Sequence, residues 1–583
     1  MTTLEEMDSD IRIFTLENAL LHNCKANANA VLGKVLADHA ELRPMVNEIL
    51  EKITLIVKEV NSKTESEIKA ELEKLAPELL TRKKQEKLMV LPDLPNVGKS
   101  VVMRFAPGPS GPLHIGHTRA VILNDEYVKR YKGKFILRFE DTNPQNIEPE
   151  AYDMIPQDLE WLGVKYHEIV KQSDRFDIYY KWATELIQKG YAYICTCPAE
   201  LFRELKSNSQ PCPDRDKSID EHLEHWRGMM DREYKPGEAS LIVKTDLNHS
   251  NPAVRDFVAF RLVEYPHPIT QDKYYVYPTY NFSVAIDDHL MGMTHILRGK
   301  DHLNNTYRQK YIYKYLDWPE PEFLHYGWVT MDNVILKTTL IKEGIKSGKF
   351  KDWSDVQLGT LRALKRRGFN PEAIRKFWLD VGIKDVDITF SWQTLFSFNK
   401  DIIESESNRY FFVWDPITLV ITEVPESAGA SELIGHAPLH PNDPTRGVRE
   451  IKLHVEDIEE LGIKGIKILV SRTDVEDIVP GTKLRLKDLC NIEVTGIDLK
   501  NVTLAKYLGN DLKILKEGVR IVHWVSANDN YPTKIYHPDG SISEGYSETT
   551  VLDALNKMVQ FERFGFVQLD ASTQPVIGWF THK

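Results

Sequence analysis

From position 104 to 117 the chain reads Arg-Phe-Ala-Pro-Gly-Pro-Ser-Gly-Pro-Leu-His-Ile-Gly-His, which places two imidazoles, His114 and His117, three residues apart. At that spacing both rings can face one bound group, and a pair of imidazoles can donate hydrogen bonds to phosphate oxygens as charge builds on them. Small residues such as Gly111 and Gly116 let backbone approach a ligand, and the amino end of a following helix favours an anion. The loop lacks the Gly-Lys-Ser/Thr ending of a Walker A sequence and the Gly-x-Gly-x-x-Gly spacing of a dinucleotide fingerprint, so ordinary kinase and dehydrogenase chemistry is disfavoured. A metal site built on the two histidines is disfavoured too, because no carboxylate or third histidine stands at helical spacing beside them.

Such a loop needs rigid elements on both sides. Val101 to Phe105 reads as a buried strand, and Ala120, Leu123, Tyr127 and Tyr131 fall on one face of a helix that Gly133 ends. Phe135 to Phe139 reads as the next strand, which completes a βαβ unit and predicts a parallel sheet with its site at the carboxyl edge. With 583 residues, three to five domains are expected. The fold class expected is multidomain α/β, with a Rossmann-type catalytic domain over 96–340 carrying an insertion at about 192–272. A helical domain over 1–95 ends at Leu91-Pro92-Asp93-Leu94-Pro95, a helical connector covers 341–398, and short strands over 399–583 predict one or two β-barrels.

These motifs resemble class I aminoacyl-tRNA synthetases, whose His-Ile-Gly-His signature is matched by His114 to His117, and the extended loop resembles the glutamyl and glutaminyl subgroup. Arg138-Phe139-Glu140-Asp141-Thr142-Asn143-Pro144 and Pro278-Thr279-Tyr280-Asn281-Phe282 carry the likeness further, and it extends over roughly 96 to 583. The resemblance implies ATP-dependent formation of an aminoacyl adenylate, with Mg2+ accompanying ATP, and transfer to tRNA. It makes His114 and His117 catalytic, with Gly111, Gly116, Asp301 and His302 also at the ATP. It places Arg104, Ala106, Glu140, Tyr280 and Arg298 around the amino acid, with Glu140 meeting its ammonium.

Two features bear on which amino acid and which tRNA. A side-chain carboxylate asks for the two-pronged donor set of arginine, whereas an amide asks for mixed donors and acceptors. Arg298 resembles the glutamyl enzymes, whereas typical glutaminyl enzymes carry a smaller residue there. The β-rich carboxyl-terminal region resembles the anticodon-binding barrels of the archaeal glutamyl branch, in which one enzyme charges tRNA(Glu) and, in some members, tRNA(Gln). L-glutamate and tRNA(Glu) are therefore the expected partners, with tRNA(Gln) a second acceptor to be tested. A glutaminyl enzyme, a truncated relative that modifies a tRNA base, and a catalytically weak tRNA-binding scaffold are the rivals.

The family's mobile lysine loop departs from its usual form: here it reads Val334-Ile335-Leu336-Lys337-Thr338-Thr339-Leu340-Ile341-Lys342. Lys337 is the first choice for contact with the developing phosphate charge and Lys342 the second. Cys195, Cys197 and Cys212 match a region where some relatives bind zinc, which makes a structural Zn2+ an expectation, with Asp214, His222 and His225 all open as the fourth ligand. The alternative is three reduced thiols packed in a small insertion. Arg362, Lys365, Arg366 and Arg367 span more than one helix face, so contact with the inner bend of tRNA is expected of some and a structural part of others. The run Arg82-Lys83-Lys84-Gln85-Glu86-Lys87 is an RNA contact or a solvated helix face.

Composition sets the outer bounds. A net charge of -12 argues against a protein that coats nucleic acid by charge alone, while leaving room for a local basic groove. Five scattered cysteines do not make a secreted disulfide framework. Met1 to Asp10 is acidic where a secretion signal would be basic, and no apolar run approaches the roughly 20 residues of a membrane span. A cytoplasmic protein with no membrane partner is expected.

Overall fold

A computed structural model describes residues 4–21, 24–38, 46–76, 91–425, 432–459, 461–497 and 502–583. The chain forms two compact units, Met1–Met89 and Val90–Lys583. The first contains four described helices, α1 (Leu4–Leu21), α2 (Ala28–Asp38), α3 (Val46–Val60) and α4 (Glu65–Leu75). Helix α3 shows why they cluster: Ile49, Ile53, Val57 and Val60 recur at helical spacing and are all buried. A reciprocal Thr64–Glu67 capping box starts α4. The basic run Arg82–Lys87 lies outside the described residues.

The larger unit begins with β1 (Val102–Phe105), α5 (Thr118–Tyr131), β2 (Lys134–Phe139), α6 (Ala151–Trp161) and β3 (Glu168–Lys171), and β2 pairs in parallel with both β1 and β3. A four-stranded antiparallel sheet then interrupts it, made of β4 (Ala192–Cys195), β5 (Ser240–Val243), β6 (Phe257–Leu262) and β7 (Val276–Pro278). The parallel theme returns with α7 (Tyr280–Leu290), β8 (His295–Gly299), α8 (Leu303–Tyr315) and β9 (Glu322–Tyr326), β8 pairing in parallel with β9. The Thr294 N–H donates to the Val102 carbonyl at 3.0 Å, which brings β8 to the open side of β1. The strand order thus reverses between β1 and β8, the switch point at which open α/β sheets bind ligands outside their carboxyl ends. Nearly continuous burial along β2 and β8 is what a sheet covered on both faces requires.

Two short helices matter for the site, α9 (Thr338–Lys346) and α10 (Leu361–Arg366). Arg367, at the end of α10, is 4% exposed and donates to the Phe580 carbonyl at 3.0 Å and the Thr581 carbonyl at 2.8 Å. It docks the helical segment on the β-rich region, helped by Arg366, whose guanidinium lies 4.6 Å from the centre of the Trp579 ring.

Beyond Asn408 the structure is β. An eight-stranded sheet is built from strands within 416–526, and a seven-stranded one from 408–414 together with 530–582. In the second sheet the two edge strands are Asn408–Tyr410 and Phe412–Trp414, consecutive in the chain and separated only by buried Phe411. A sheet whose two edges are neighbours in sequence curls back on itself, so the predicted barrel is nearly closed and its edges are protected. Among the described residues no helix is long and apolar enough to cross a membrane.

Candidate active site

A cleft of about 600 Å³ opens at the switch point between the carboxyl ends of β1 and β8. Arg104, Ala106, His114, Gly116, His117, Glu140, Tyr280, Arg298, Asp301 and His302 all line it. Residues from five separate stretches of sequence are therefore brought to one place by the sheet.

The two imidazoles lie stacked, ring centres 3.6 Å apart and planes inclined by 23°. His117 Nδ1 accepts the His114 backbone N–H at 3.2 Å, and His114 Nδ1 accepts the Gly116 N–H at 3.1 Å. With Nδ1 of each ring occupied as an acceptor, a neutral ring carries its proton on Nε2, so both present donors. Burial pushes His117 down to about 4 and His114 well below its ordinary range, the latter helped by its neighbour. Both rings are then uncharged donors at neutral pH. His117 caps α5 with no side-chain bond to the first turn, which leaves N–H groups of that turn for an anion.

Glu140, at the end of β2, has its carboxylate 3.4 Å from Arg138 Nη2. Burial raises it to about 7, against the pull of Arg138 and Arg104. Arg138 also reaches Asp288 at 2.8 Å, and Arg104 meets the same carboxylate at 3.2 Å. Burial opposes charge on Asp288, yet the two guanidiniums hold it below the usual carboxylate range. This buried network fixes the strand-end side chains of β1 and β2 from below, through α7.

Arg298 has a different environment. It is 5% exposed, and its partners are neutral oxygens: Tyr280 Oη at 3.2 Å, Thr306 Oγ1 at 2.6 Å and Gln309 Oε1 at 2.8 Å. Its Nε has no hydrogen-bond partner among the described residues. A buried guanidinium aimed into a cleft with only neutral acceptors around it is poised for an incoming anion. Tyr280 Oη in turn lies 3.1 Å from His302 Nδ1, and His302 Nε2 lies 3.4 Å from Asp301.

Gly111 and Lys337 do not line the cleft. A Cβ at Gly111 would come within 2.9 Å of Trp353 and 3.1 Å of Thr338, so glycine here lets α9 pack on the histidine loop. Lys337 is exposed and is the residue that caps α9. Its neighbour Leu336 lines the cleft and approaches Gly116. Lys342 is engaged elsewhere, in an ion pair with Glu148 at 3.0 Å.

Comparison with known proteins places this cleft in a family. The catalytic-domain model of the class I (E and Q) tRNA synthetases matches residues 100–405, and the anticodon-binding models of the same group match 407–508 and 521–570. The glutamate–tRNA ligase of Methanocaldococcus jannaschii is 45% identical, over 97% of this chain and 98% of its own. That of Methanopyrus kandleri is 44% identical, over 97% of each chain. The chain belongs to the class I tRNA synthetases of the E and Q group. A solved glutamate-tRNA synthetase from Elizabethkingia anophelis, 22% identical, aligns with a TM-score of 0.40 over 52% of this chain and 71% of that one.

In this synthetase the inserted sheet holds a second cluster. Cys195 and Cys197 Sγ each lie 3.4 Å from Cys212 Sγ, and Asp214 Oδ2 is 3.9 Å from Cys197 Sγ. The four ligand atoms fall within 4.8 Å of one another. A tetrahedral zinc with Zn–S bonds of about 2.3 Å separates its sulfurs by about 3.8 Å, so the donor set and spacing fit such an ion. Of the three residues left open as fourth ligand, Asp214 is the one in the cluster. His222 Nδ1 instead accepts the Ile194 N–H at 3.3 Å, and His225 Nδ1 lies 2.6 Å from the Tyr234 hydroxyl.

Sequence reasoning missed the Asp288 network and the Thr306–Gln309 support of Arg298. The pair Asp287-Asp288 inside the apolar run of α7 was the available signal, since two adjacent carboxylates are buried only when cations meet them.

Proposed function

We propose that this synthetase activates L-glutamate with ATP and esterifies it to tRNA(Glu), with the observation that carries the choice of glutamate being Arg298, a buried guanidinium surrounded by neutral acceptors. The substrate side-chain carboxylate supplies the missing anion, with Tyr280 alongside, and Glu140 meets the ammonium. The α-carboxylate then attacks the α-phosphate of ATP, forming the mixed anhydride while the bond to the β-phosphate breaks and pyrophosphate leaves. A terminal ribose hydroxyl of tRNA subsequently attacks the glutamyl carbonyl, and AMP departs.

His114 and His117 donate from Nε2 to the phosphate oxygens, and their neutrality favours donation without a full charge to desolvate. Asp301 and His302 bind the nucleotide side of the cleft. Gly116 allows the close approach of the phosphates, whereas the glycine at 111 serves the packing of α9. Lys337 approaches the phosphates on closure of its loop, which is supported by the position of Leu336 at the cleft and the prior engagement of Lys342. Mg2+, when bound with ATP, neutralises charge on the phosphate oxygens. The enzyme acts in the cytoplasm, and tRNA(Gln) is a second acceptor to be compared directly with tRNA(Glu).

The test is tRNA-dependent pyrophosphate exchange with glutamate and glutamine side by side. Exchange with glutamate alone is expected. Exchange with glutamine alone would overturn the substrate assignment, and no exchange would favour a scaffold.

The Glu140 carboxyl gives this reading a pH signature. Below about 7 it is neutral in the free enzyme and cannot pair with an ammonium, so kcat/KM for glutamate is expected to rise as pH passes from about 6 to 8. Glu140→Gln should remove that rise and leave kcat/KM low throughout. A flat wild-type profile across the window would contradict the role.

Cys195, Cys197, Cys212 and Asp214 would hold a structural zinc ion, which would tie β4 to the loop before the helix Ile219–Met230. Metal analysis of the purified protein should find about one zinc per chain, with Cys212→Ser reducing it severalfold or more. Zinc-free wild-type protein that melts at the same temperature with and without added zinc would leave only packed thiols.

A further inference from the structure

Behind the histidine loop a second cleft, of about 310 Å³, opens between α6 and α10. Gln157, Asp158 and Trp161 form one wall, and Arg362, Lys365 and Arg366 the other. Among the lining residues three cations face one carboxylate, which is only 4% exposed, and Arg366 also lies 3.9 Å from Asp352 beyond the lining. Lys365 is exposed to solvent, whereas Arg362 bridges the walls: its Nη2 donates to Gln157 Oε1 at 2.6 Å, and its Nε lies 3.7 Å from Asp158 Oδ1 without a hydrogen bond of its own. The excess of positive charge, with an indole at the edge, is complementary to a nucleic-acid backbone.

The peptide before His114 ties the two walls of this groove together. Leu113 donates its N–H to Asp158 Oδ2 at 2.8 Å, a residue of α6, and accepts at its carbonyl the Leu361 N–H at 2.8 Å, from α10. One residue is therefore held by both walls. The strap continues: the Ile115 N–H donates to the Gly359 carbonyl at 2.9 Å, and the Gly359 N–H to the Ile335 carbonyl at 3.1 Å. A change in the spacing of α6 and α10 must move Leu113, and with it His114, while the same strap reaches the segment leading to Lys337.

We propose that this groove takes a phosphodiester of the bound RNA and that Asp158 is a positioning residue that passes its occupancy to the histidine loop. The inference rests on reading the chain as a tRNA ligase. A phosphate bound by Lys365 and Arg362 holds Arg362 in its place across the two walls, and the fixed spacing then holds the His114 peptide.

The experiment measures tRNA affinity against salt concentration, and glutamylation at saturating tRNA, for the full chain and its variants. Lys365→Gln should weaken tRNA binding severalfold and make the plot of log affinity against log salt shallower by about one. Arg362→Gln should do the same and also lower kcat. Asp158→Asn should lower kcat about tenfold with tRNA affinity unchanged, and the Asp158→Asn/Arg362→Gln double variant should lose no more kcat than the more damaging of the two single variants, as for two residues on one path. Unaltered affinity and salt slope in both cation variants would overturn the phosphate site. Losses in kcat that multiply in the double variant would overturn the relay. A wild-type chain that glutamylates no tRNA would overturn the ligase reading, whereas wild-type activity with all variants unaffected would overturn this proposal alone.

Discussion

Arg298→Ala is expected to lower kcat/KM for glutamate by roughly a hundred- to several-thousand-fold, equivalent to about 3 to 5 kcal/mol, because it leaves the substrate carboxylate buried without its partner. The side chain sits within a shell of neutral acceptors, Tyr280, Thr306 and Gln309, that fixes the guanidinium plane without neutralising it. The loss should concentrate in the amino acid: KM for ATP should change little, since the nucleotide meets other residues. Arg298→Lys should recover part of the loss, because it restores a charge but not the paired donors. The check is tRNA-dependent pyrophosphate exchange with glutamate varied at saturating ATP. An alanine variant within a few fold of wild type would remove Arg298 from the pocket's function.

Lys337→Ala is expected to reduce kcat for adenylate formation by about a hundred- to a thousand-fold, the range seen when one preorganised donor to a developing charge is removed. Lys342→Ala should stay within a few fold. The contrast follows from position: Lys337 lies between Leu336, at the cleft wall, and Thr338, which packs against the backbone at Gly111, whereas Lys342 is paired with Glu148. Single-turnover adenylate formation separates the two, because it isolates the phosphate chemistry from tRNA transfer. The opposite order of effects would assign the role to Lys342 and give Lys337 only the cap of α9.

The legible parts of the site were those whose chemistry is local. His114 and His117 are three residues apart, so their shared orientation follows from the turn, and the βαβ texture around them predicts the sheet edge on which they stand. Glu140 was legible for the same reason, at the end of an apolar strand. The support beneath them was not: Arg104 and Arg138 meet Asp288 across separations of 184 and 150 residues, and no spacing in the chain announces that pairing. Gly111 read as a phosphate-loop glycine, but its space is taken by Trp353 and Thr338, two contacts that only the folded chain brings together. The fourth member of the cysteine cluster was open among three residues because the distinction depends on where the two histidine rings find other hydrogen bonds. Among the clustered cations, Arg367 differs from Arg362 by burial against the carboxyl-terminal strands, which a helical wheel of α10 cannot show.

The β region illustrates the same limit. The strands Lys483–Leu486 and Asn491–Ile497 were legible as short runs between turn residues. Closure of the last sheet was not, since it depends on Asn408–Tyr410 and Phe412–Trp414 leaving Phe411 in opposite directions to pair with strands more than a hundred residues later.

The measurement that bears most directly on the whole account is attachment of labelled glutamate to purified tRNA(Glu) by the full chain with ATP, run beside labelled glutamine. The account predicts ATP-dependent glutamyl-tRNA formation and no glutaminyl-tRNA. Glutaminyl-tRNA as the product would contradict the reading of Arg298, and no product with either amino acid would contradict the assignment of this cleft to aminoacylation.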